Sequence, residues 1–482
     1  MYNEPFQQSR IQYGRIEKEK LLHSRYNPEA EAERYISSLS LDENIRFFIL
    51  VEPGLGYITA ALKKKNPSAK IIALHAEKPS GGLAAAAPDS LWYPETGTQV
   101  QSFLETEIPD SSAREIRLLE WRPALSVYGE KYLTLVKETA EFIKRSDANT
   151  RTLNAFGRIW FRNFFKNLGI IKKILCPLSI SKPLLVTGAG PGLEDVIPLI
   201  REKRDGLFIL ASSSSAAALE SGNIAPNLII STDGTAWARF HLYGLFRNKQ
   251  KEPYPLAAAL SAAIPSQCEN IPVMPISDGS VWQTLILNEL KIPFTVLPQR
   301  GTVSASALDL AFAISEGEVF ITGIDLTNRD IRSHARPYSL DRLMEEKAER
   351  VNPVYSQVYK RSSLLQEGGS YDIYASWFKK QLSSYPGRLY SLGKNNSVFS
   401  SLETAAGHAI ENISVAPNSR VNFRTLTVEG DYSQKAYTVL EKALKESVHS
   451  ELLQKELRAL LFRDEAPGLN ELIDCLAALC GR

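Results

Sequence analysis

Pro183-Leu-Leu-Val-Thr-Gly-Ala-Gly-Pro-Gly192 is the stretch on which the fold turns. A short apolar run meets three glycines and a proline within five residues, and a helical pattern opens at Leu193. This strand–turn–helix order begins many nucleotide-binding domains. Glycine admits positive φ and a close backbone approach, and the helix behind it presents unpaired N–H groups and the positive end of its dipole to a phosphate. A structural tight turn accounts for the same residues, so the stretch indicates the fold before it indicates a ligand.

Working outward, strands are expected at Pro183–Thr187, Gly206–Ala211, Leu228–Thr232, Leu256–Leu260, Val273–Ile276, Phe294–Leu297 and Val319–Thr322. Helical patterns lie between several of them, at Leu193–Arg204, Ser213–Ser221, Val281–Leu290 and Ser304–Ser315. Short, fully apolar strands alternating with helices specify an α/β protein with a mostly parallel, Rossmann-like sheet covered on both faces. Ligands of such sheets bind outside the carboxyl ends of the strands.

Upstream, Ile45–Val51 reads as a buried strand followed by Gly54-Leu-Gly56, a helix, and a second strand at Lys70–His75 with Glu77 beyond it. This is a β-α-β unit lacking the third glycine, and Gly81–Pro88 is loop-like, so a structural module is favoured over a cofactor site. Residues 1–40 read as a peripheral arm. Residues 130–175 read as helical, with Phe156, Trp160, Phe164 and Phe165 near helical spacing, a packing stripe. From about Thr425 the pattern is helix only, interrupted at Pro467-Gly468. The expected organisation is an N-terminal Rossmann-like unit over 1–130, a central domain over 131–425 and a C-terminal helical region over 426–482.

With 56 basic and 54 acidic residues the formal net charge is +2, which gives no whole-chain electrostatic case for nucleic acid. Cys176, Cys268, Cys475 and Cys480 form no disulfide or zinc pattern. The opening residues are polar, and no apolar run approaches the ~20 residues a membrane helix needs. A reducing compartment, the cytoplasm, and no membrane insertion are the expectations.

The candidate chemistry gathers at strand ends. After the first central strand stand Gly188, Gly190, Pro191 and Gly192; after the second, Ser212 and Ser213 open a run of four serines; after the third comes Asp233. Hydroxyls there cap a helix or bond a nucleotide, and Asp233 accepts from ribose hydroxyls or forms an Asp-Gly turn; both pairs of readings stay open. Arg300, Thr302 and Ser304 place a cation and hydroxyls before a helix, a combination suited to phosphate or carboxylate. Asp325 ends the last strand, and His334 follows within reach of the same rim, a candidate general base.

Gly188-Ala-Gly-Pro-Gly-Leu193, Ile224-Ala-Pro-Asn-Leu228 before Asp233, and Gly323-Ile-Asp-Leu with Ser333-His-Ala335 together resemble the motility accessory factor family. The central domain of that family is itself similar to archaeal 6-hydroxymethylpterin diphosphokinase (MptE-like). Gly192 and Asn227 depart from the family pattern, and its later glycine-rich segment is echoed around Ser391–Ser397. The resemblance implies a sialyltransferase-like (GT-A-type) sheet and an inverting glycosyltransferase. That enzyme moves a nonulosonic acid, pseudaminic or legionaminic, from its CMP-activated form to Ser or Thr of flagellin. It also implies that Gly188, Gly190 and Pro191 lie at the nucleotide phosphates, Asp233 on the nucleotide side, and Asp325 and His334 in the acidic-then-histidine segment. No cofactor beyond the CMP-sugar is required, and Mg2+ is compatible. Two other readings are a diphosphokinase acting with ATP on a pterin, and a non-catalytic protein that binds flagellin.

Overall fold

The computed structural model describes residues 21–42, 44–79, 85–108, 112, 115–245, 253–365, 370–382, 385, 387–393, 399, 423–446, 450–462 and 467–481. The chain divides into two compact units, Met1–Ala155 and Phe156–Arg482. The division falls inside a helix, Glu130–Ile170, and the C-terminal helices belong to the second unit.

The first unit is built on a parallel sheet of β1 (Phe47–Val51), β2 (Lys70–Leu74), β3 (Ser90–Trp92) and β4 (Ile116–Glu120), in the order β3-β2-β1-β4. Phe47-Phe-Ile-Leu-Val51 is buried at every position, as a central strand between two covered faces must be. The turn after it is filled by the chain itself. Gly54 and Gly56 have φ of +68° and +91°, and a side chain on either would overlap the His23 ring or the Ala86 carbonyl. The Leu55 N–H donates to His23 Nε2 at 3.1 Å, the His23 ring stacks on Trp121, and Trp121 Nε1 donates to the Leu22 carbonyl at 2.7 Å. Burial lowers the His23 pKa to about 4, which keeps Nε2 an acceptor.

The second unit carries a larger sheet. Its strands are β5 (Lys173–Leu175), β6 (Leu184–Thr187), β7 (Phe208–Ser212), β8 (Leu228–Ser231), β9 (Leu256–Ala259), β10 (Pro272–Ser277), β11 (Thr295–Val296), β12 (Val319–Thr322), β13 (Leu389–Ser391) and β14 (Thr425–Thr427). The path is β13-β12-β6-β7-β8-β9-β10-β5-β14, with β11 beside β10. Every pairing is parallel except β14 with β5. The mixed α/β, parallel-dominated architecture is thus the one the alternation of short strands and helices specifies.

The element bounds depart from expectation where local chemistry intervenes. Gly206 closes a short 3-10 turn, Arg204–Gly206, so β7 starts at Phe208. Pro293 and Pro298 bracket β11 and hold it to two residues, since proline lacks a ladder donor. Thr425–Thr427, expected to lead into helix only, is an exposed edge strand too short for its alternation to be read.

The core of this unit sits where β6, β7 and β8 meet the Val303–Ile314 helix, with Leu184, Val186, Phe208, Leu210 and Leu308 fully buried. Each such side chain contributes about 1.5–3 kcal/mol. The helices Tyr432–Glu446 and Ser450–Leu461 pack on the Val281–Glu289 helix. The Glu456 carboxylate caps that helix, accepting from Val281 N–H at 3.0 Å and Trp282 N–H at 3.1 Å. No helix among the described residues is long and apolar enough to cross a membrane.

Candidate active site

The order in which strands are added to the sheet reverses at β6. From it the strands step outward through β7 to β10, and the chain then returns to place β12 on β6's other side. A crevice at the carboxyl ends of two such strands is the general ligand position of open α/β sheets. The Gly188–Gly192 turn leaves β6 here, and the Gly323–Tyr338 loop leaves β12.

The two segments interlock. Gly188 N–H donates to the Thr322 carbonyl at 2.8 Å, Gly190 N–H to the Gly323 carbonyl at 2.7 Å, and Ala335 N–H to the Ala189 carbonyl at 2.8 Å. The Asp325 carboxylate accepts from Gly192 N–H at 2.6 Å. Side chains at Gly188, Gly190, Gly192 or Gly323 would collide with this packing. The glycines therefore admit Gly323 and the Asp325 carboxylate, so an internal anion takes the Gly192 donor that the sequence offered to a phosphate. Burial pushes the Asp325 carboxyl above the usual carboxylate range, against the pull of the Gly192 N–H and Arg329.

A set of ion pairs clamps the loop to the start of the Leu193–Glu202 helix. Arg329 grips Asp195 with two bonds of 2.9 and 2.6 Å. Arg332 pairs with Glu194 at 3.1 Å, and Arg336 N–H donates to the same carboxylate at 2.8 Å. Glu194 and Asp195 also suit the first turn of a helix, where negative charge meets the positive dipole end. Sequence reading passed over all four charged residues. Their signal was the acidic first turn, with Arg329 and Arg332 three residues apart on the facing loop.

His334 sits on this loop beside the glycine turn, brought there by the Ala335–Ala189 bond. Its Nδ1 lies 2.7 Å from Ser333 Oγ, and its ring stacks on Tyr338 at 4.1 Å. Tyr338 also meets the ring of His241, whose Nδ1 is bonded to Ser339 Oγ. His241 comes from the Ala238–Tyr243 helix after β8, so Tyr338 links two strand-end loops.

The other expected residues are placed as follows. Ser212 and Ser213 are buried at the end of β7, next to β6, and Ser212 Oγ lies 3.2 Å from Ser214 Oγ. The fourth serine, Ser215, bonds the Thr187 hydroxyl at 2.9 Å and so ties β6 to β7 instead of capping a helix. Asp233 accepts from the Thr235 N–H at 2.8 Å and hydroxyl at 3.0 Å, the Asp-Gly turn geometry. Arg300 pairs with Asp309 at 2.6 Å and lies over the Trp377 ring, while Thr302 precedes the Val303–Ile314 helix that also carries Ser304. Gly188, Gly190, Pro191, Gly192, Asp325 and His334 thus form one assembly with Ser212 and Ser213 adjoining. The recorded partners of Arg300 lie on other elements. The glycine-rich echo at Ser391–Ser397 lies outside the described residues from Lys394 onward.

Two asparagines that sequence reading missed set the rim next door. Asn163 Nδ2 donates to the Gly234 and Ser261 carbonyls, both at 3.0 Å, and Asn167 Nδ2 to those of Leu260 and Ala262, both at 2.8 Å. They sit four apart on the buried aromatic face of the Glu130–Ile170 helix and hold the loops after β8 and β9. Two amides at that spacing among Phe161, Phe164 and Phe165 were the available signal.

Residues 161–330 match the family model described as 6-hydroxymethylpterin diphosphokinase MptE-like, the similarity that the motifs imply for the central part of the chain. Two uncharacterized proteins of Treponema pallidum (strain Nichols) are 27% identical over 345 residues and 25% identical over 347. The alignments cover 71% and 65% of this chain, and 70% and 57% of those relatives. A solved MAf glycosyltransferase from Magnetospirillum magneticum AMB-1 superposes with a TM-score of 0.49 at 12% identity, over 98% of this chain and 84% of that one.

Proposed function

We propose that this chain is an inverting glycosyltransferase that moves a nonulosonic acid of pseudaminic or legionaminic type from a CMP-sugar to Ser or Thr of flagellin. In the cytoplasm this modification would support flagellar assembly. The observation that carries the reading is the interlock at the switch point. The segments bearing the sequence resemblance, Gly188–Leu193 and Gly323–Ala335, are bonded to one another beside a crevice lined by the ends of β12 and β13 and the start of the Leu193–Glu202 helix. His334 is the base that takes the acceptor hydroxyl proton, its ring held by Ser333 and Tyr338. The donor's leaving phosphate is stabilised by the adjoining serines at the end of β7, since the N–H groups of Gly188, Gly190 and Gly192 are bonded within the interlock.

Co-expression with flagellin and enzymes that supply the CMP-sugar tests this by the intact mass of flagellin. The wild-type chain is expected to add the sugar mass, and His334→Ala to abolish it while CMP binding persists. Modified flagellin in the presence of His334→Ala would remove the base assignment.

The family match over 161–330 favours one competing reading, transfer of diphosphate from ATP to a hydroxymethylpterin. That chemistry needs Mg2+ held by carboxylates. Magnesium-dependent ATP binding and AMP release from a pterin substrate would select it.

A further inference from the structure

The crevice between β12, β13 and the start of the Leu193–Glu202 helix has a lining that suits hydroxyl groups better than a phosphate. Its polar wall consists of Asp325 and Asp195, with Thr322 at the end of β12 and Ser391 at the end of β13. Thr322 and Ser391 are only 5% and 9% exposed, and neither hydroxyl has a hydrogen-bond partner among the described residues. Both hydroxyls open onto the crevice, so they mark a place where a polar group can bond two otherwise unengaged oxygens. Gly393, at φ +113°, borders the Thr322 hydroxyl with no side chain in between.

The charge in this space is negative. Asp325 gives one oxygen to Gly192 N–H, no cation lines the crevice among the described residues, and Arg329, whose charge acts on Asp325, is already gripped by Asp195. An incoming phosphate would meet carboxylate oxygens, whereas a vicinal diol donates to a carboxylate and exchanges bonds with both free hydroxyls. An acid placed beyond a strand end near the switch point is the usual partner of a ribose in dinucleotide-binding sheets.

We infer that this crevice is a ribose seat, in which Asp325 accepts from the diol while the Thr322 and Ser391 hydroxyls complete its bonds. The inference rests on the reading of the chain as a nucleotide-sugar enzyme, and it moves the phosphate away from the crevice toward the serines at the end of β7. The sugar acid of the donor is excluded from this seat, because its carboxylate would face Asp325 and Asp195.

Calorimetric titration of the full chain with CMP, AMP, UMP and GMP, each beside its 2′,3′-dideoxy form, tests the seat. At least one ribonucleotide is expected to bind about tenfold more tightly than its dideoxy form, the worth of one to two hydrogen bonds. Thr322→Val and Ser391→Ala should each erase most of that ratio while leaving the affinity of the dideoxy form unchanged. Circular dichroism and the retained dideoxy affinity show that the variants are folded. Equal binding of ribo and dideoxy forms, a ratio insensitive to both substitutions, or no binding by any nucleotide overturns the seat. Likewise, a free nonulosonic acid whose binding alone depends on Thr322 and Ser391 assigns the crevice to the sugar and overturns the ribose. If AMP shows the ratio and CMP does not bind, the seat stands and the CMP-sugar reading falls.

Discussion

Gly192 has no side chain because the Asp325 carboxylate occupies the space a β-carbon would take. Its backbone is in the ordinary right-handed helical region, φ −63° and ψ −18°, so the constraint is steric and comes from one residue. Gly192→Ala is expected to cost about 1–3 kcal/mol, the usual penalty for overpacking. In an Asp325→Ala background the same change should cost well under half of that, since the colliding atoms are gone. Urea midpoints of the four variants measure this coupling. Additive costs would show that Asp325 is not what the glycine accommodates. At this scale the sequence displayed the glycines and the acid but not their relation, because 133 residues separate Gly192 from Asp325. Asp233 and Arg300 illustrate the same limit. Each was visible as a polar residue at a strand end, and only the fold showed that its bonds go to Thr235 and to Asp309.

At the scale of elements, the site is a set of strand ends held in place by polar crosslinks. Ser215 joins β6 to β7, Asn163 and Asn167 hold the loops after β8 and β9, and Arg329 and Arg332 fasten the β12 loop to a helix start. Asn167 is almost wholly buried and gives both amide hydrogens to backbone carbonyls. Asn167→Ala leaves those carbonyls unsatisfied in a dry site and is expected to destabilise by about 2–3 kcal/mol. Asn167→Asp cannot donate and should be at least as damaging. Thermal unfolding with hydrogen exchange at Leu260–Ala262 checks both, and unchanged protection there would show that the amide is not the anchor. The strands and helices themselves were legible because their apolar periodicity is local. The crosslinks were not, since a serine or asparagine looks the same whether it faces water or a carbonyl from another loop.

On the scale of the whole molecule, each unit has its own apolar core, one around β1 and β2 and the other around β6 to β8. Acid is expected to distinguish them. His23 is neutral and buried in the first unit, with its pKa lowered to about 4 from 6.5. A histidine held below its unfolded value gives stability that is present above pH 6.5 and is lost as pH falls toward 4. Protons then bind the unfolded chain more readily than the native one. The loss amounts to roughly 3 kcal/mol over that window. Hydrogen exchange at pH 7 and pH 5 should show protection falling in β1 and β2 while β6 and β7 keep theirs. His23→Gln, which retains an acceptor for the Leu55 N–H, should flatten the difference. A uniform loss across both units would place the acid sensitivity elsewhere.

The glycine turn at 188–192 spans these scales. By itself the sequence determined that short buried strands alternate with helices and that the sheet is therefore mostly parallel. Those conclusions follow from side-chain periodicity and backbone sterics, which act between near neighbours. Tertiary structure alone decided the strand order, with β12 returning to β6 and creating the switch point. It also decided that Asp325, and not a ligand, satisfies Gly192, and that Thr322 and Ser391 are left facing a crevice. Those outcomes depend on which distant groups share a small volume, and the free energy of such contacts is set by desolvation and fit, not by spacing along the chain.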